Sequence, residues 1–285
     1  MFINRAILFF KRITIFKKIM EEKEVVVEVQ DLVKDFGDRT VLNGVNLKIY
    51  KGETFVIMGG SGCGKSTVLR HMIGNLKPTS GRAFLLGEDI TNRYGSQLDD
   101  VRKKIGMSFQ SSALFDSMTV AENVSLPLRE HTKLEKSVID IVIKMKLELV
   151  GLRGFEDLMP SELSGGMRKR VGLARAIAMD PQIIFYDEPT AGLDPIVAAV
   201  IDKLIIDLSK KLSITSVVVT HDMKSVMAIA DRIAMLYEGK VLEIGTPYEI
   251  QNSSNAMVRQ FINGDHDGPI KFFQQKDDYL EHLTQ

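Results

Sequence analysis

Phe55-Val56-Ile57-Met58-Gly59-Gly60-Ser61-Gly62-Cys63-Gly64-Lys65-Ser66 decides the fold. A short, fully apolar run reads as a buried strand, and it leads directly into a glycine-rich turn of the form G-x-x-x-x-G-K-[ST]. The residues from Lys65 to about Gly74 then read as a helix. Glycines let successive backbone N–H groups turn inward around a phosphate. The helix start adds unpaired N–H donors and the positive end of its dipole. Lys65 can reach the β- and γ-phosphates of a nucleotide, and the Ser66 hydroxyl can ligate Mg2+. The phosphate-binding stretch therefore runs through Gly59, Gly60, Ser61, Gly62, Cys63, Gly64, Lys65, Ser66 and Thr67.

Working outward, Val25–Val29, Val45–Ile49 and Ala83–Leu86 read as strands, and so do Ile183–Tyr186 and Ser216–Thr220. Helix-period segments lie between and after the last two, which implies an α/β chain with a mostly parallel sheet and crossover helices. Ile233–Tyr237 and Val241–Ile244, joined by Glu238-Gly239-Lys240, form a terminal hairpin. Strand signals vanish from Ser111 to Pro160. There Leu134, Val138, Ile141, Val142, Met145 and Leu149 mark one face of a helix, with Gly151 as its C-terminal stop. The reading is a helical insertion at about 111–175 within the α/β core.

The chain has 285 residues, 45% of them hydrophobic, which is ample for a large core. Its 37 basic and 37 acidic residues balance, so no basic surplus announces a nucleic-acid partner. With a single cysteine, no internal disulfide is available. No apolar run reaches the roughly 18 residues that a membrane span needs, so work at a membrane requires a partner. Residues 1–20 stand apart: they carry Arg5, Lys11, Arg12, Lys17 and Lys18 and no acid. Phe2, Ala6, Phe9, Ile13, Phe16 and Met20 fall on one helical face. The segment reads either as a basic amphipathic extension for an anionic membrane surface or a partner, or as sequence ahead of a start at Met20.

The remaining chemistry lies downstream. Asp187-Glu188 follows the apolar run Ile183–Tyr186. One carboxylate can hold Mg2+ and the next can polarise an attacking water, a sensible division because phosphoryl transfer depends on positioning and charge. A second glycine turn, Leu163-Ser164-Gly165-Gly166, opens the basic helical run RKRVGLARAIA. Thr220 ends an apolar strand, and His221 and Asp222 follow it.

Taken in order, the phosphate loop, Gln110 ending a strand, LSGG at Leu163–Gly166, FYDEPTAGLD at Phe185–Asp194 and Thr220-His221-Asp222 resemble the ATP-binding-cassette (ABC) ATPases over about Glu24–Phe261. The resemblance implies a P-loop NTPase core with an N-terminal antiparallel β part and a helical insertion, spanning 21–263, with a C-terminal extension at 264–285. It implies ATP and Mg2+ as cofactors and a head-to-tail dimer of identical chains. In that dimer Ser164, Gly165 and Gly166 of one copy face the γ-phosphate held by the other. By position, Phe36 stacks on adenine, Gln110 contacts Mg2+ and the attacking water, Asp187 and Ser66 hold the metal, Glu188 and His221 act on the water and γ-phosphate, and Asp194 contacts the opposing subunit. Met167 replaces the usual signature glutamine, and Ala191-Gly192-Leu193-Asp194 replaces the commoner Ser-Ala-Leu-Asp. Neither departure removes a phosphate or metal contact.

SELSGGMRKRVGLARAIAMDP, AGLDPI and the tail VRQFINGDHDGPI are similar to the Mla-type, MCE-associated phospholipid transporters. Phe261, Gly264, Asp267, Gly268 and Pro269 match that tail pattern. This implies an integral-membrane permease and an MCE-type lipid-binding protein as partners, no nucleic acid, and a place on the cytoplasmic face of the inner membrane, held there by the permease. The permease would dock around Ser111–Pro127, where Leu114, Phe115 and Met118 are either docking or core residues. The tail carries Ile270, Phe272, Phe273, Tyr279 and Leu280, apolar groups that contact would order. An amino-acid-type importer cassette, or a soluble cassette such as an iron–sulfur assembly factor, are the alternatives.

Overall fold

The computed structural model describes residues 23–270; the expectations for residues 1–20 and for Phe272, Phe273, Tyr279 and Leu280 lie outside that range. The chain opens with a long hairpin, β1 (Val25–Phe36) and β2 (Arg39–Tyr50). With β4 (Ser80–Leu85) and β5 (Glu88–Asp89) it makes an antiparallel sheet in the order β2-β1-β4-β5. Both long strands extend well past the periodic stretches predicted for them. The register of β1 slips between Val29 and Leu32, and Asp31 there has φ 46°. A bulge of this kind breaks the alternation without ending the strand. Asn46 closes the bulge on Asp31: its Oδ1 accepts from the Asp31 N–H and its Nδ2 donates to the Asp31 carboxylate, each bond 2.9 Å long.

The second sheet contains β3 (Thr54–Met58), β6 (Ile105–Ser108), β7 (Ile183–Asp187), β8 (Thr215–Thr220), β9 (Arg232–Tyr237) and β10 (Lys240–Gly245). Their order is β10-β9-β3-β8-β7-β6, parallel except for the β9–β10 hairpin. All of β3 is buried, and its side chains alternate between two cores. Phe55 and Ile57 join the packing against the antiparallel sheet and α1 (Lys65–Met72). Val56 and Met58 face the other side, toward the helices of the insertion and the C-terminal half. Burial on both faces explains the continuous apolar runs in the sequence. Each such side chain contributes about 1.5–3 kcal/mol.

The insertion carries α3 (Val120–His131), α4 (Lys136–Leu149) and α5 (Gly165–Ala176), after the short α2 (Ser96–Arg102). Thr119 and Glu122 form a capping box at the start of α3. The face predicted for α4 is corrected by the structure. Ile139, Ile143, Lys146 and Leu147 turn inward, whereas Leu134, Val138, Ile141 and Met145 are exposed; Val142 and Leu149 lie between. Gly151, with φ 68°, follows the C-terminus of α4 as read. The buried Lys146 pairs with Asp180 beyond α5, tying the insertion to the sheet.

The C-terminal half adds α6 (Pro195–Leu212), α7 (Met223–Ile229), α8 (Pro247–Gln251) and α9 (Ala256–Asn263). Gly264 stops α9 at φ 71°, and the chain folds back on it. The buried Gln260 side chain accepts from the Ile270 N–H at 2.7 Å and donates to the Ile270 carbonyl at 3.1 Å. A Cβ on Gly268 would come within 2.4 Å of that side chain, so any larger residue there would displace the Gln260 amide from its bonds to Ile270. Ile270 is buried and joins the larger core, and Phe261 packs against it.

Candidate nucleotide site at the phosphate loop

The loop between β3 and α1 is shaped by its neighbours. Gly59, Gly62 and Gly64 have φ of 153°, 74° and 108°. A Cβ on Gly59 would meet the Leu236 carbonyl oxygen at 2.2 Å, and one on Gly64 would meet Leu42 at 2.7 Å. The loop is thus wedged between β9 and β2; the Cys63 N–H turns back to the Gly60 carbonyl at 3.4 Å, and its neighbours' N–H groups line the turn for an anion. Gly64 occupies the N-cap of α1 without a side-chain cap, and no acid stands in the first turn, so the helix dipole is uncompensated at that end. Lys65 is buried, and its ammonium donates to the Gly59 and Gly60 carbonyls at 2.8 and 2.9 Å. That holds the cation over the loop with a third N–H still to give. Cys63 is buried, and burial pushes its thiol up, which makes it a packing residue and not a nucleophile.

Asp187 ends β7 directly across from α1, and Ser66 Oγ donates to its Oδ1 at 3.0 Å. The two predicted metal-holding oxygens are therefore neighbours. Among the described residues no cluster of three or more His, Cys, Asp or Glu side chains could hold an ion. A hydroxyl and one carboxylate are a hard, oxygen-only set that fits Mg2+, which takes its other ligands from phosphate and water.

Glu188 follows in a left-handed conformation, φ 48°, fixed by its N–H bonding to the Val219 carbonyl at 2.8 Å. Its buried carboxylate receives the Thr220 hydroxyl at 3.2 Å and lies 2.9 Å from His221 Nδ1. His221 is more than half exposed, so its ring covers the carboxylate while facing the cleft. The cleft, about 420 Å3, is lined by Ser61, Gly62, Gly64, Lys65, Ser66, Thr67, Gln110, Glu188 and His221. Gln110 reaches it from the turn two residues past the end of β6. Arg39 and Val41 complete the lining. Sequence reasoning missed both; a signal lay in Arg39, a cation just past the Phe36-Gly37-Asp38 turn. Phe36 itself sits at the tip of β1, half exposed and paired across the hairpin with Arg39. It is not a core residue, and it does not line the cleft.

The other predicted contacts gather elsewhere. Ser164 caps α5, accepting from the Met167 N–H at 3.3 Å. Asp194 caps α6, its Oδ1 accepting from the N–H groups of Ile196 and Val197 at 3.0 and 3.1 Å. The two helix starts touch: a Cβ on Gly165 would lie 3.6 Å from Leu193, and one on Gly166 would collide with Val197 at 2.5 Å. None of Ser164, Gly165, Gly166 or Asp194 lines the phosphate cleft. One chain thus holds a phosphate-loop cleft and, separately, a surface with two capped helix starts.

The family model described as "ABC transporter" matches residues 42–191. The chain belongs to the ABC transporter family. It is an ATP-binding cassette with ATPase activity. Its relatives include the intermembrane phospholipid transport system ATP-binding protein MlaF of Haemophilus influenzae, 45% identical over 90% of this chain and 98% of that protein. MlaF of Escherichia coli K12 is 44% identical over 89% and 94%. A probable ribonucleotide transport ATP-binding protein of Mycobacterium leprae is 42% identical over 89% and 73%. Among solved structures, a dimeric ATP-binding cassette in a post-hydrolysis state with ADP and Pi superposes with TM-score 0.72 at 33% identity, covering 78% of this chain and 98% of that one. A cassette from Clostridium perfringens, part of a transporter complex, gives TM-score 0.75 at 30% identity over 92% and 99%.

Proposed function

We propose that two copies of this cassette close head to tail on ATP and Mg2+, and that hydrolysis drives phospholipid movement between membranes. The observation that carries the composite site is the separation described above: the phosphate cleft and the Ser164–Gly166 and Asp194 surface belong to one chain but do not meet within it. Ile196 and Val200 are exposed beside that surface, which leaves apolar area for a second copy to cover. A solved relative that is a dimer supports the pairing of two copies.

Within this reading each residue has a task. The loop N–H groups of Gly60–Lys65 and the Lys65 ammonium bind the β- and γ-phosphates. Ser66 and Asp187 would hold Mg2+, which when bound neutralises the phosphate oxygens. Glu188 orients and polarises the attacking water, and His221 holds the Glu188 carboxylate while offering a donor to the γ-phosphate. Gln110 joins the metal side to the partner-facing loop, and Phe36 stacks on the adenine. In trans, Ser164, Gly165 and Gly166 present a helix start to the γ-phosphate, and Asp194 meets the opposing copy.

For the cargo, near-full-length similarity to the two phospholipid-system proteins supports phospholipid, along with the tail ordered by Gln260 and Gly268. No helix among the described residues is long and apolar enough to cross a membrane. In this reading a permease holds the cassette at the cytoplasmic face of the inner membrane. Its docking groove, about 430 Å3, runs past Met107, Phe109, Phe115, Leu126 and Pro127. Phe109 and Phe115 are exposed there, while Leu114 packs partly into the core. The buried Asn123 side chain fixes the loop through the Phe115 N–H and the carbonyls of Phe115, Met118 and Thr119, so the groove is preformed. An MCE-type lipid-binding protein completes the system. Purification from membranes in mild detergent tests this: a permease and bound phospholipid should accompany the cassette. Recovery with a solute-binding importer, or with no membrane protein, would refute the lipid reading.

A further inference from the structure

Lys169 lies on α5, just over a turn past Ser164, and turns inward to be only 8% exposed. Its ammonium donates to the Gln110 carbonyl at 2.5 Å and to the Glu188 carbonyl at 3.2 Å. Further along the helix, Arg175 donates to the Ser112 and Ala113 carbonyls at 2.7 and 2.8 Å. Gly172 lies between the two cations and lets Ser112 approach to 3.3 Å of where a Cβ would stand. Ser112 and Ala113 have φ of 63° and 46°, a conformation that non-glycine residues hold only when their surroundings impose it. So α5 grips the main chain of Gln110 and Glu188 together through Lys169, and holds the loop beyond Gln110 again at Ser112 and Ala113 through Arg175. Burial pushes the Lys169 pKa down, and the nearby Glu188 and Asp187 charges work against that. A buried ammonium is costly, and an apolar side chain of similar length would fill the space without the charge.

We propose that Lys169 is a positioning residue for ATP hydrolysis, fixing the main chain of Gln110 and Glu188 to the helix whose start faces the other copy's nucleotide. This rests on the composite-site reading. Closure on the partner's phosphate moves α5 as a rigid rod, and Lys169 carries that placement to the residue that orients water and to the loop that meets the partner protein. Lys169 does not line the phosphate cleft, so its loss should act on turnover and not on ATP affinity.

The test uses the full chain. Lys169→Met should lower kcat by about tenfold or more, because misplacement by around an ångström has that scale of effect, and should leave KM for ATP within about threefold. In the Glu188→Gln background, Lys169→Met should still dimerise on ATP. A kcat within about threefold of wild type overturns the proposal, as does a KM that rises in step with the loss of kcat. If Lys169→Met loses its thermal transition, Lys169→Gln, which keeps a donor, carries the same measurement. Loss of the fold in both makes Lys169 a fold residue and also overturns the proposal. Failure of the Glu188→Gln chain itself to dimerise would instead sink the composite site, independently of what Lys169 does to kcat.

Discussion

Glu188→Gln isolates the charge of one carboxylate while keeping its shape. Glu188 Oε1 lies 2.9 Å from His221 Nδ1, and Oε2 receives the Thr220 hydroxyl at 3.2 Å. An amide fits both contacts. Its oxygen keeps the His221 Nδ1–H, and its nitrogen donates to Thr220 Oγ1, which already accepts from the Asp222 N–H at 3.1 Å and has a second lone pair free. The buried Thr220 hydroxyl proton loses its carboxylate acceptor in this swap, so the stability cost should be about 1 kcal/mol. In the proposed mechanism, what disappears is the negative charge that would draw a proton from the attacking water. General-base assistance of this kind is worth about 10²–10⁴ in kcat, or about 3–5.5 kcal/mol of barrier. Phosphate release at saturating ATP and Mg2+ should therefore fall by at least about a hundredfold, ATP affinity should hold, and size-exclusion chromatography should show an ATP-dependent dimer. Glu188→Ala is the contrast: it strips His221 and Thr220 of their partner and should lower the melting temperature as well as the rate. If Glu188→Gln turns over within about threefold of wild type, Glu188 does not act on the water and the assignment fails.

Other perturbations read different parts of the structure. Lys65→Ala removes the cation held over the Gly59 and Gly60 carbonyls and should abolish hydrolysis and weaken ATP binding by at least about tenfold, measured by titration calorimetry. Gly166→Ala drives a methyl into Val197 and should cost about 1–3 kcal/mol in denaturant unfolding. Gln260→Ala leaves the buried N–H and carbonyl of Ile270 without partners, so hydrogen exchange around 265–270 should rise while the P-loop strand stays protected. Asp202 is buried on α6, with Ser225 donating to Oδ2 at 2.8 Å; burial raises its pKa, and the Asp222 charge adds to this. The folded state then holds the proton more tightly than the unfolded one, so this group's contribution to stability is present in acid and is lost as pH rises through its folded pKa. Asp202→Asn should melt higher than wild type at neutral pH and match it in acid; a pH-independent difference would refute this.

The phosphate loop and the Asp187-Glu188 pair were legible because their chemistry is local: adjacent residues supply the turn, the cation and the oxygens. The inward face of α4 was not. That helix carries two apolar stripes, and which one is buried is settled by α3 and α5, whose positions no single-helix pattern contains. The chosen stripe had the longer run, while the buried one includes Lys146, a charge made tolerable only by Asp180 from a distant segment. The length of β1 was hidden for a related reason. The polar Gln30-Asp31 reads as a strand end, yet a bulge closed by Asn46 carries the strand on to Phe36. Lys169 is one of several cations in the basic helical run after the LSGG turn, and nothing local marks it, because its inward turn depends on Gln110 and Glu188 arriving from elsewhere in the chain.

Gly166 shows why a glycine motif must be weighed against the fold it sits in. Its place in the signature invites the view that glycine is there so that backbone can approach a phosphate. Within this chain, Val197 alone forbids a side chain at that position. The glycine is thus demanded by α5 meeting α6, and its presence does not distinguish a phosphate-facing helix from a merely packed one. The distinction comes from the end of the helix. Ser164 caps α5 with only its hydroxyl, and no acid neutralises the first turn. The neighbouring helix start at Asp194 differs, since that carboxylate already answers its own N–H groups. Of the two adjacent helix starts, only α5 retains an uncompensated positive end for an incoming anion. Ser164→Asp should therefore preserve the cap and the fold while opposing the γ-phosphate of the partner with a like charge. Melting temperature should hold and the ATP-driven dimer should fail; a variant that dimerises as well as wild type would show that no triphosphate approaches this helix.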